Sequence, residues 1–555
     1  MPHVVTQACC GDASCVFACP VNCIHPTPDE PAFATAEMLY IDPDSCVDCG
    51  ACVRACPVGA IKPHTKLGED DLPFLDLNRM FHAEDQPGLT EPRPSQAPVE
   101  RLVRLPPGAR LRVAVVGSGP AGLYAADELL KQPGVSVTVL DRLPVPHGLV
   151  RAGVAPDHQE TKGIDRLLRQ IEDQPGFDYR LGVEIGRDLT AAELAAHHDA
   201  VVYATGASAD RRLEVPGEDL SGSETARKFV AWYNGHPDCV DLDVDLSGKR
   251  AVVVGNGNVA LDVARILATE PERLAGSDIA DHALAALRRS AVREVIVLGR
   301  RGPAEAAFTV PEIVGLLQRE DIDVVVEGVD LDTLEDHPKV SALRAGVTRT
   351  PDPSRRRIVL RFMTAPVAVL GRDRATGLRV VPTRLRGLDG RTVAEPVGPE
   401  SDVEASLVLR SVGYRGEPLP GVPFDQARAV VPNVGGRVLD RVDGDVLPGA
   451  YVVGWAKRGP TGFIGTNKSC SQETVNALLL DAAAGRLVPP EQDQRALDAL
   501  VRSRGAAGID LSAWRRVDAE ERRRGQEQQR PRVKITDVDE VRRVAGPAGG
   551  RRRGR

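Results

Sequence analysis

Apolar and polar positions divide the chain into stretches of different kinds. Residues 1 to about 65 carry only short apolar runs, broken by Pro and Cys, with Met38-Leu39-Tyr40-Ile41 as the clearest strand. From about Phe81 to Gly108, HAEDQPGLTEPRPSQAPVERLVRLPPG holds six prolines and neither a helical nor a two-residue period, which predicts a semi-extended linker. At Leu111 the order becomes strand, glycine turn, helix, strand: LRVAVV, GSGPAG, LYAADELLKQ, VSVTVLD. It returns as RAVVV, GNGNVA, LDVARILA and, after a helical stretch from about Asp278 to Ser290, REVIVLGRR. Unbroken apolar strands alternating with helices predict two α/β units built on parallel sheets. From about Val324 to Leu409 short apolar runs alternate with turns and predict β-rich structure completing the second unit. GAYVVGWAKRGPTGFIGTNKSCSQETVNALLLDAAA then reads as strand, Gly-rich loop and helix, and the Arg/Gly-rich tail from about Val541 predicts disorder.

Composition sharpens the first stretch. The chain has 555 residues, enough for three or four domains, and 42% apolar content suits ordinary cores. Nine of eleven cysteines lie in residues 1 to 56, leaving only Cys239 and Cys470 beyond. Residues 1 to 100 hold 5 basic and 15 acidic residues, and no Lys or Arg precedes Arg54, so this end is no phosphate-backbone clamp and nucleic acid is not an expected partner. The excess of Arg over Lys, 60 to 10, reads as a compositional bias without functional meaning. No signal-peptide pattern opens the chain and no run approaches 18 apolar residues, so the expectation is a cytoplasmic protein without membrane contact. In a reducing compartment, clustered cysteines are metal ligands or redox groups rather than disulfides.

Spacing decides which metal. Cys46-x2-Cys49-x2-Cys52-x3-Cys56-Pro57 is the array in which three thiolates hold one iron-sulfur cluster and the fourth reaches the other cluster of a pair. Cys9-x2-Asp12-x2-Cys15-x3-Cys19-Pro20 repeats it with Asp at the second ligand position. Cross-ligation gives one cluster Cys19, Cys46, Cys49 and Cys52, and the other Cys9, Cys15 and Cys56. That second set is one thiolate short: it suits a three-iron cluster, or a four-iron cluster whose last iron takes Asp12 or water. The three-iron form is favoured because carboxylate is the weaker ligand in a sulfide cage. Cys10 and Cys23 are surplus and read as packing. Zinc is the alternative to iron for the whole block, but zinc sites pair two C-x2-C knuckles across a longer gap.

Gly117-x-Gly119-Pro120-Ala121-Gly122 follows a strand and opens a helix, with Asp141 ending the next strand. This is a dinucleotide turn whose acid binds ribose hydroxyls and repels a 2'-phosphate, so FAD is the expected ligand. Gly255-Asn256-Gly257-Asn258-Val259 forms the second turn, but its following strand ends in Gly299-Arg300-Arg301. Two guanidinium forks in place of an acid suit the 2'-phosphate of NADP(H). No C-x-x-C occurs in residues 101 to 555, which argues against a flavin disulfide reductase. The lone Cys470 reads as helix-start packing.

The front block resembles the seven- and eight-iron bacterial ferredoxins. GSGPAG, PHGLVRAGVAPDHQETKG, GNGNVALDVARIL, GRRGPAEAAFT and GWAKRGPTGFIGTNK, in that order, resemble the adrenodoxin-reductase-like ferredoxin-NADP reductases over residues 110 to about 535. Together the chain resembles the ferredoxin/ferredoxin-NADP reductase fusions. The resemblance implies a ferredoxin domain at 1–66, a linker at 67–109, an FAD domain at 110–209 and 411–540 with an NADP domain at 210–410 inserted in it, and a tail at 541–555. The implied fold is a small α+β two-cluster ferredoxin followed by two Rossmann-like α/β domains. It further implies that Leu149, Ile185, Trp455 and the Gly462-Phe463-Ile464 loop line FAD, and that Arg211 and Glu312 contact NADP(H). Arg212 rivals Arg211 for that place. His158 falls on a motif given an electron- or proton-transfer role near the flavin; the alternative is a hydrogen-bonding residue of the domain interface. Glu312 is expected to hydrogen-bond the nicotinamide end or position Arg side chains, since hydride transfer needs no base. The expected reaction is hydride transfer from NADPH to FAD and single electrons onward to the tethered ferredoxin, whose effective concentration reaches roughly the millimolar range. An external ferredoxin or a terminal oxidoreductase is the expected further partner. Two other readings are the electron-supplying subunit of a glutamate-synthase-like complex and a non-enzymatic redox sensor.

Overall fold

A computed structural model of the chain describes residues 2–83, 96–98, 103–388 and 391–546. The N-terminal unit is built on two short antiparallel pairs, His3–Val5 with Ile61–Pro63 and Ile24–His25 with Tyr40–Ile41. Helices Ser14–Ala18 and Ala51–Ala55 occupy matching places in it. Each follows a left-handed residue, Ala13 at φ 59° and Gly50 at φ 68°, and each ends at the cysteine of a Cys-Pro pair, Cys19 or Cys56. The two cysteine arrays are thus structural repeats, and Ala13 holds a conformation that costs a residue with a Cβ about 1–2 kcal/mol.

The linker expected from residue 67 begins later. Leu72–Ala83 is a helix closing the first unit, because Pro73 stands in its first turn, where no backbone N–H is needed. The buried Asn78 on this helix accepts from the amides of Val5 (3.2 Å) and Ile41 (2.9 Å) and donates to the Val5 carbonyl (2.9 Å), tying two strands together. Of the expected linker, residues 84–95 and 99–102 lie outside the described residues.

The second unit contains a seven-stranded sheet in the order Asn433–Val434, Arg437–Leu439, Val446–Val452, Ala200–Tyr203, Leu111–Val116, Val135–Asp141, Phe177–Leu181. Its pairs are parallel from Val446–Val452 onward. A six-stranded, wholly parallel sheet, in the order Ser223–Thr225, Leu407–Arg410, Arg250–Val254, Glu294–Leu298, Arg356–Arg361, Ile322–Glu327, is formed by chain lying between the two parts of the first. The stretch expected to be β-rich splits. Ile322–Glu327, Arg356–Arg361 and Leu407–Arg410 join this parallel sheet, whereas Thr364–Gly371, Ala375–Leu388, Arg391–Pro396 and Ser401–Glu404 form separate antiparallel pairings. Helix Pro338–Gly346 interrupts the stretch.

Buried charge fastens the pieces. Lys162 donates to Asp278 (2.7 Å) and Asn234 (2.8 Å), and Lys534 reaches the same two residues at 2.9 and 3.1 Å. Burial alone would raise the Asp278 carboxyl, but the two ammonium groups outweigh it and hold it well below the usual range. Nearby, buried Glu521 on helix Leu511–Glu527 accepts from Arg151 (2.8 Å), Arg532 (3.0 Å) and the Ile535 amide (2.8 Å), while Trp514 of the same helix enters the core of the first sheet. The tail expected to be disordered from residue 541 is helical over Val538–Ala545, and residues 547–555 lie outside the described residues.

Candidate functional site

Cys19, Cys46, Cys49 and Cys52 line one small cavity, joined by Cys23. Cys23 therefore belongs to the site, with its Sγ 3.4 Å from that of Cys19. The thiols of Cys9, Cys15 and Cys56 interact with one another and with Asp12. Burial pushes the Cys9 thiol up to about 11 and raises the Cys15 thiol well above its ordinary value. Such groups become thiolates only when a bound cation offsets the desolvation. A zinc ion at about 2.3 Å from each thiolate needs sulfurs within roughly 4 Å of one another. Among the described residues, the one His/Cys/Asp/Glu group whose ligand atoms all lie within 4.8 Å is His158, Asp262 and Glu312, with no cysteine in it. Among the described residues no three cysteine sulfurs form such a group, although the Cys19 and Cys23 sulfurs lie 3.4 Å apart. The Asp12 carboxylate accepts from the Ser14 hydroxyl (2.5 Å) and amide (3.2 Å), and Lys468 Nζ lies 3.4 Å away.

The two glycine turns are conformational copies. Gly117 and Gly255 both have φ of 111°, and a Cβ on either would strike a backbone carbonyl oxygen, that of Ala204 at 2.4 Å or Ser411 at 2.1 Å. Gly119 and Gly257 each begin a helix, Pro120–Leu130 and Asn258–Ala268, whose free N–H groups suit a pyrophosphate. Beside the first turn, Asp141 accepts from the Ser118 amide and hydroxyl (2.8 and 2.6 Å). Gly117, Asp141, Ile185 and Thr205 line a cavity of about 360 Å³. Leu149 is 43% exposed on helix Gly148–Ala152, whose first residue approaches Gly119. Helix Thr466–Ala483 lies against the turn through the Ser471 hydroxyl, which donates to the Ala121 carbonyl (2.9 Å). It also fixes the preceding loop: Thr466 Oγ1 accepts from the Phe463 amide (3.0 Å), and Asn467 donates to the carbonyls of Phe463 and Ile464. Trp455 Nε1 donates to the Thr461 carbonyl (3.0 Å), so Trp455 and Gly462-Phe463-Ile464 form one platform. Cys470 is buried on this helix and its sulfur accepts from the Gly454 amide (3.4 Å).

At the second turn, Asn258 Oδ1 accepts from the Thr309 amide (2.8 Å), fixing the segment that leads to Glu312. Arg300 is exposed, whereas Arg301 keeps a buried Nε without a hydrogen-bond partner, an orphaned donor that an anion would satisfy. Arg212 is ion-paired with Glu218 and Asp219. Arg211 instead runs along Gly413, two residues beyond the Ser411 that faces Gly255. His158 and Glu312 come together, although they are 154 positions apart in the chain. Burial raises the Glu312 carboxyl and Asp262 adds to it, with His158 opposing. Two residues of this neighbourhood were not singled out in the sequence. Arg265 binds Asp157 (2.6 Å) and Asp262 (2.6 Å), and Gln7 Nε2 donates to Glu312 (3.1 Å) from the N-terminal unit. Gln7 adjoins the first cysteine array, and that was its only signal.

Residues 111–298 match the Pyridine nucleotide-disulphide oxidoreductase family and residues 39–62 the 4Fe-4S binding domain family. The chain is 52% identical to a probable ferredoxin/ferredoxin--NADP reductase of Mycobacterium tuberculosis over 98% of its own length and 94% of the relative's. It is 42% identical to the NADPH-ferredoxin reductase FprA of the same organism, over 78% of this chain and 98% of that one. The structure of Mycobacterium tuberculosis FprA in complex with NADPH superposes with a TM-score of 0.74 at 40% identity, covering 79% of this chain and all of that one. Among the described residues no helix is long and apolar enough to cross a membrane.

Proposed function

Because the chain belongs to the ferredoxin/ferredoxin-NADP reductase family, we propose that residues 2–83 hold its iron-sulfur centres, that the seven-stranded sheet holds FAD, and that the six-stranded sheet inserted within it holds NADPH. The enzyme is an oxidoreductase that passes electrons from NADPH to ferredoxin. When bound, FAD splits a hydride pair into single electrons and the clusters carry them one at a time. Gly117, Gly119, Pro120, Ala121 and Gly122 cradle the flavin nucleotide's pyrophosphate, Asp141 its ribose, and Leu149, Ile185, Trp455 and Gly462-Phe463-Ile464 its remaining surface. Gly255, Asn256, Gly257, Asn258 and Val259 receive the NADPH pyrophosphate, while Arg211, Arg300 and Arg301 bind the 2'-phosphate. His158 and Glu312 hold the nicotinamide end, and Glu312 is a hydrogen-bonding group rather than a base. This work is positioning: reacting atoms about 3–3.5 Å apart need orientation, not proton transfer.

One four-iron cluster takes Cys19, Cys46, Cys49 and Cys52. The Cys9, Cys15 and Cys56 cage takes three irons, a reading supported by the commitment of Asp12 to Ser14 and Lys468. The enzyme acts in the cytoplasm and hands electrons to an external ferredoxin or a terminal oxidoreductase. The observation that carries the function is the orphaned Arg301 donor beside a glycine turn, in a chain whose Cys19, Cys46, Cys49 and Cys52 line one small cavity.

Anaerobic purification with iron and sulfide analysis, EPR and NADPH titration tests the assignment. About seven irons, a three-iron signal in the oxidised protein and reduction of flavin and clusters by NADPH are expected. Eight irons without that signal would refute the three-iron cage, and zinc in place of iron would refute both clusters.

A further inference from the structure

The N-terminal unit touches the reductase through far more than the linker. The Gly465 amide donates to the Cys10 carbonyl at 2.8 Å. A Cβ on Gly465 would lie 2.0 Å from the Gly11 carbonyl carbon, 2.1 Å from its oxygen and 2.2 Å from the Asp12 nitrogen. These are backbone atoms, so no side-chain rotation relieves the clash. Gly465 has φ of −71° and ψ of −27°, which any residue adopts. Its own backbone conformation gives no reason for glycine; the close approach of the first cysteine loop does.

Other contacts fix the same pose. Lys468, one helical turn later, donates to the Ser14 hydroxyl (2.9 Å) and reaches Asp12. Ala8, Cys10, Val58 and Ala60 join the apolar core of the first sheet, with Cys9, Cys56 and Ile464 packed against it. Arg166 donates to the Pro57 carbonyl (3.1 Å). On the other side, Gln7 reaches Glu312, and Glu37 accepts from the Val310 amide (2.7 Å), so the unit straddles both nucleotide sheets. Orientation follows from these contacts. Cys9, Cys56 and Ile464 share one packed surface, whereas Cys49 is exposed and its neighbour Val47 is 59% exposed.

We propose that Gly465 and Lys468 form a socket that locks the built-in ferredoxin onto the reductase in one orientation, with the Cys9/Cys15/Cys56 cage as the receiving face and the Cys49 side as the delivering face. The proposal rests on the electron-carrier reading above. The balance is that of the family reaction: NADPH gives up a hydride and becomes NADP⁺, two electrons cross the socket singly to two one-electron acceptors, and one proton goes to solvent. The socket keeps the tethered carrier productively oriented between turnovers, which a linker alone does not.

Gly465→Ala and Lys468→Ala in the full-length holoenzyme test this. Hydrogen exchange reads the docking directly: amides of residues 8–14 and 58–61 should exchange faster in Gly465→Ala, and less markedly so in Lys468→Ala. In anaerobic stopped-flow, flavin bleaching by NADPH should keep the wild-type rate while the later reduction of the clusters slows by about tenfold or more, the scale of a misplacement near 1 Å. Wild-type exchange together with wild-type cluster reduction in Gly465→Ala would overturn the socket. Should Gly465→Ala fail to retain FAD, Lys468→Ala decides by the same two readouts. If NADPH fails to reduce the clusters of the wild-type protein, the electron-carrier reading falls instead, so the two failures are distinct.

Discussion

Replacing Arg301 by Met tests whether this residue receives the 2'-phosphate, as proposed. The free protein already keeps Arg301 Nε buried and unpartnered, and an unmatched buried donor costs about 1–3 kcal/mol. The backbone around it is pinned independently: the Met363 amide donates to the Arg301 carbonyl (3.2 Å) and the Thr383 hydroxyl to that of Arg300 (2.8 Å). Met fills similar space without the donor, so Arg301→Met should leave the melting temperature of the nucleotide-free enzyme unchanged or slightly raised. A charge-assisted hydrogen bond to phosphate contributes about 1.5–3 kcal/mol. Its loss should therefore raise KM for NADPH about 10- to 150-fold with little change in kcat. NADH has no 2'-phosphate, and its KM should stay within about twofold, since the lost contact does not exist for it. Steady-state ferricyanide reduction with each nucleotide, beside thermal melts, measures both effects. Equal losses for NADPH and NADH, or a melting temperature lowered by several degrees, would refute the reasoning, because Arg301 would then be structural.

Three further outcomes are expected. Gly117→Ala should purify without flavin, as judged by absorbance near 450 nm, because its Cβ would lie 2.4 Å from the Ala204 carbonyl oxygen in a left-handed conformation; full FAD content would show that the turn relaxes. Asn78→Ala removes four buried hydrogen bonds and should destabilise the N-terminal unit by about 2–4 kcal/mol, seen as earlier thermal loss of cluster absorbance with flavin release unaltered. Burial pushes the His198 imidazole down to about 4 from an ordinary 6.5. The unfolded chain then binds more protons between those values, so His198 contributes stability above pH 6.5 that is lost as pH falls towards 4, by about 3 kcal/mol. Urea melts from pH 7 to 4.5 should show a shallower decline in His198→Phe than in wild type; parallel curves would remove His198 as a cause.

The parts legible in the sequence are those whose physics is local. A glycine turn between a strand and a helix needs few residues, and cysteine arrays declare themselves by spacing, so the Gly117 and Gly255 turns and the iron-sulfur character of the front unit were readable. What distinguishes Arg211 from Arg212 was not, because it lies in the ion pairs of Arg212 with Glu218 and Asp219. Helix Leu72–Ala83 was hidden by its early Pro and by the Pro-rich segment after it. Least visible were contacts between distant segments. Lys162, Asp278 and Lys534 look like separate surface charges until folding buries them together. Gly465 lies in the GWAKRGPTGFIGTNK segment, but its backbone is ordinary and its close approach to Gly11, 454 positions away, leaves no trace in the sequence.

The divided seven-stranded sheet also sets a timetable for synthesis. The strands and helices described in the N-terminal unit are complete by Ala83, but strand Ala200–Tyr203 has Val446–Val452 as one of its two neighbours. At about 5–20 residues per second, the ribosome takes on the order of 10–50 s to make the intervening chain. Throughout that interval Ala200–Tyr203, buried at every position in the finished protein, is an open apolar edge on the nascent chain. The inserted sheet is made within the same interval, so it can fold before its host does. Slowed translation between Tyr203 and Val452 therefore prolongs the exposure of that edge and the period of greatest aggregation risk.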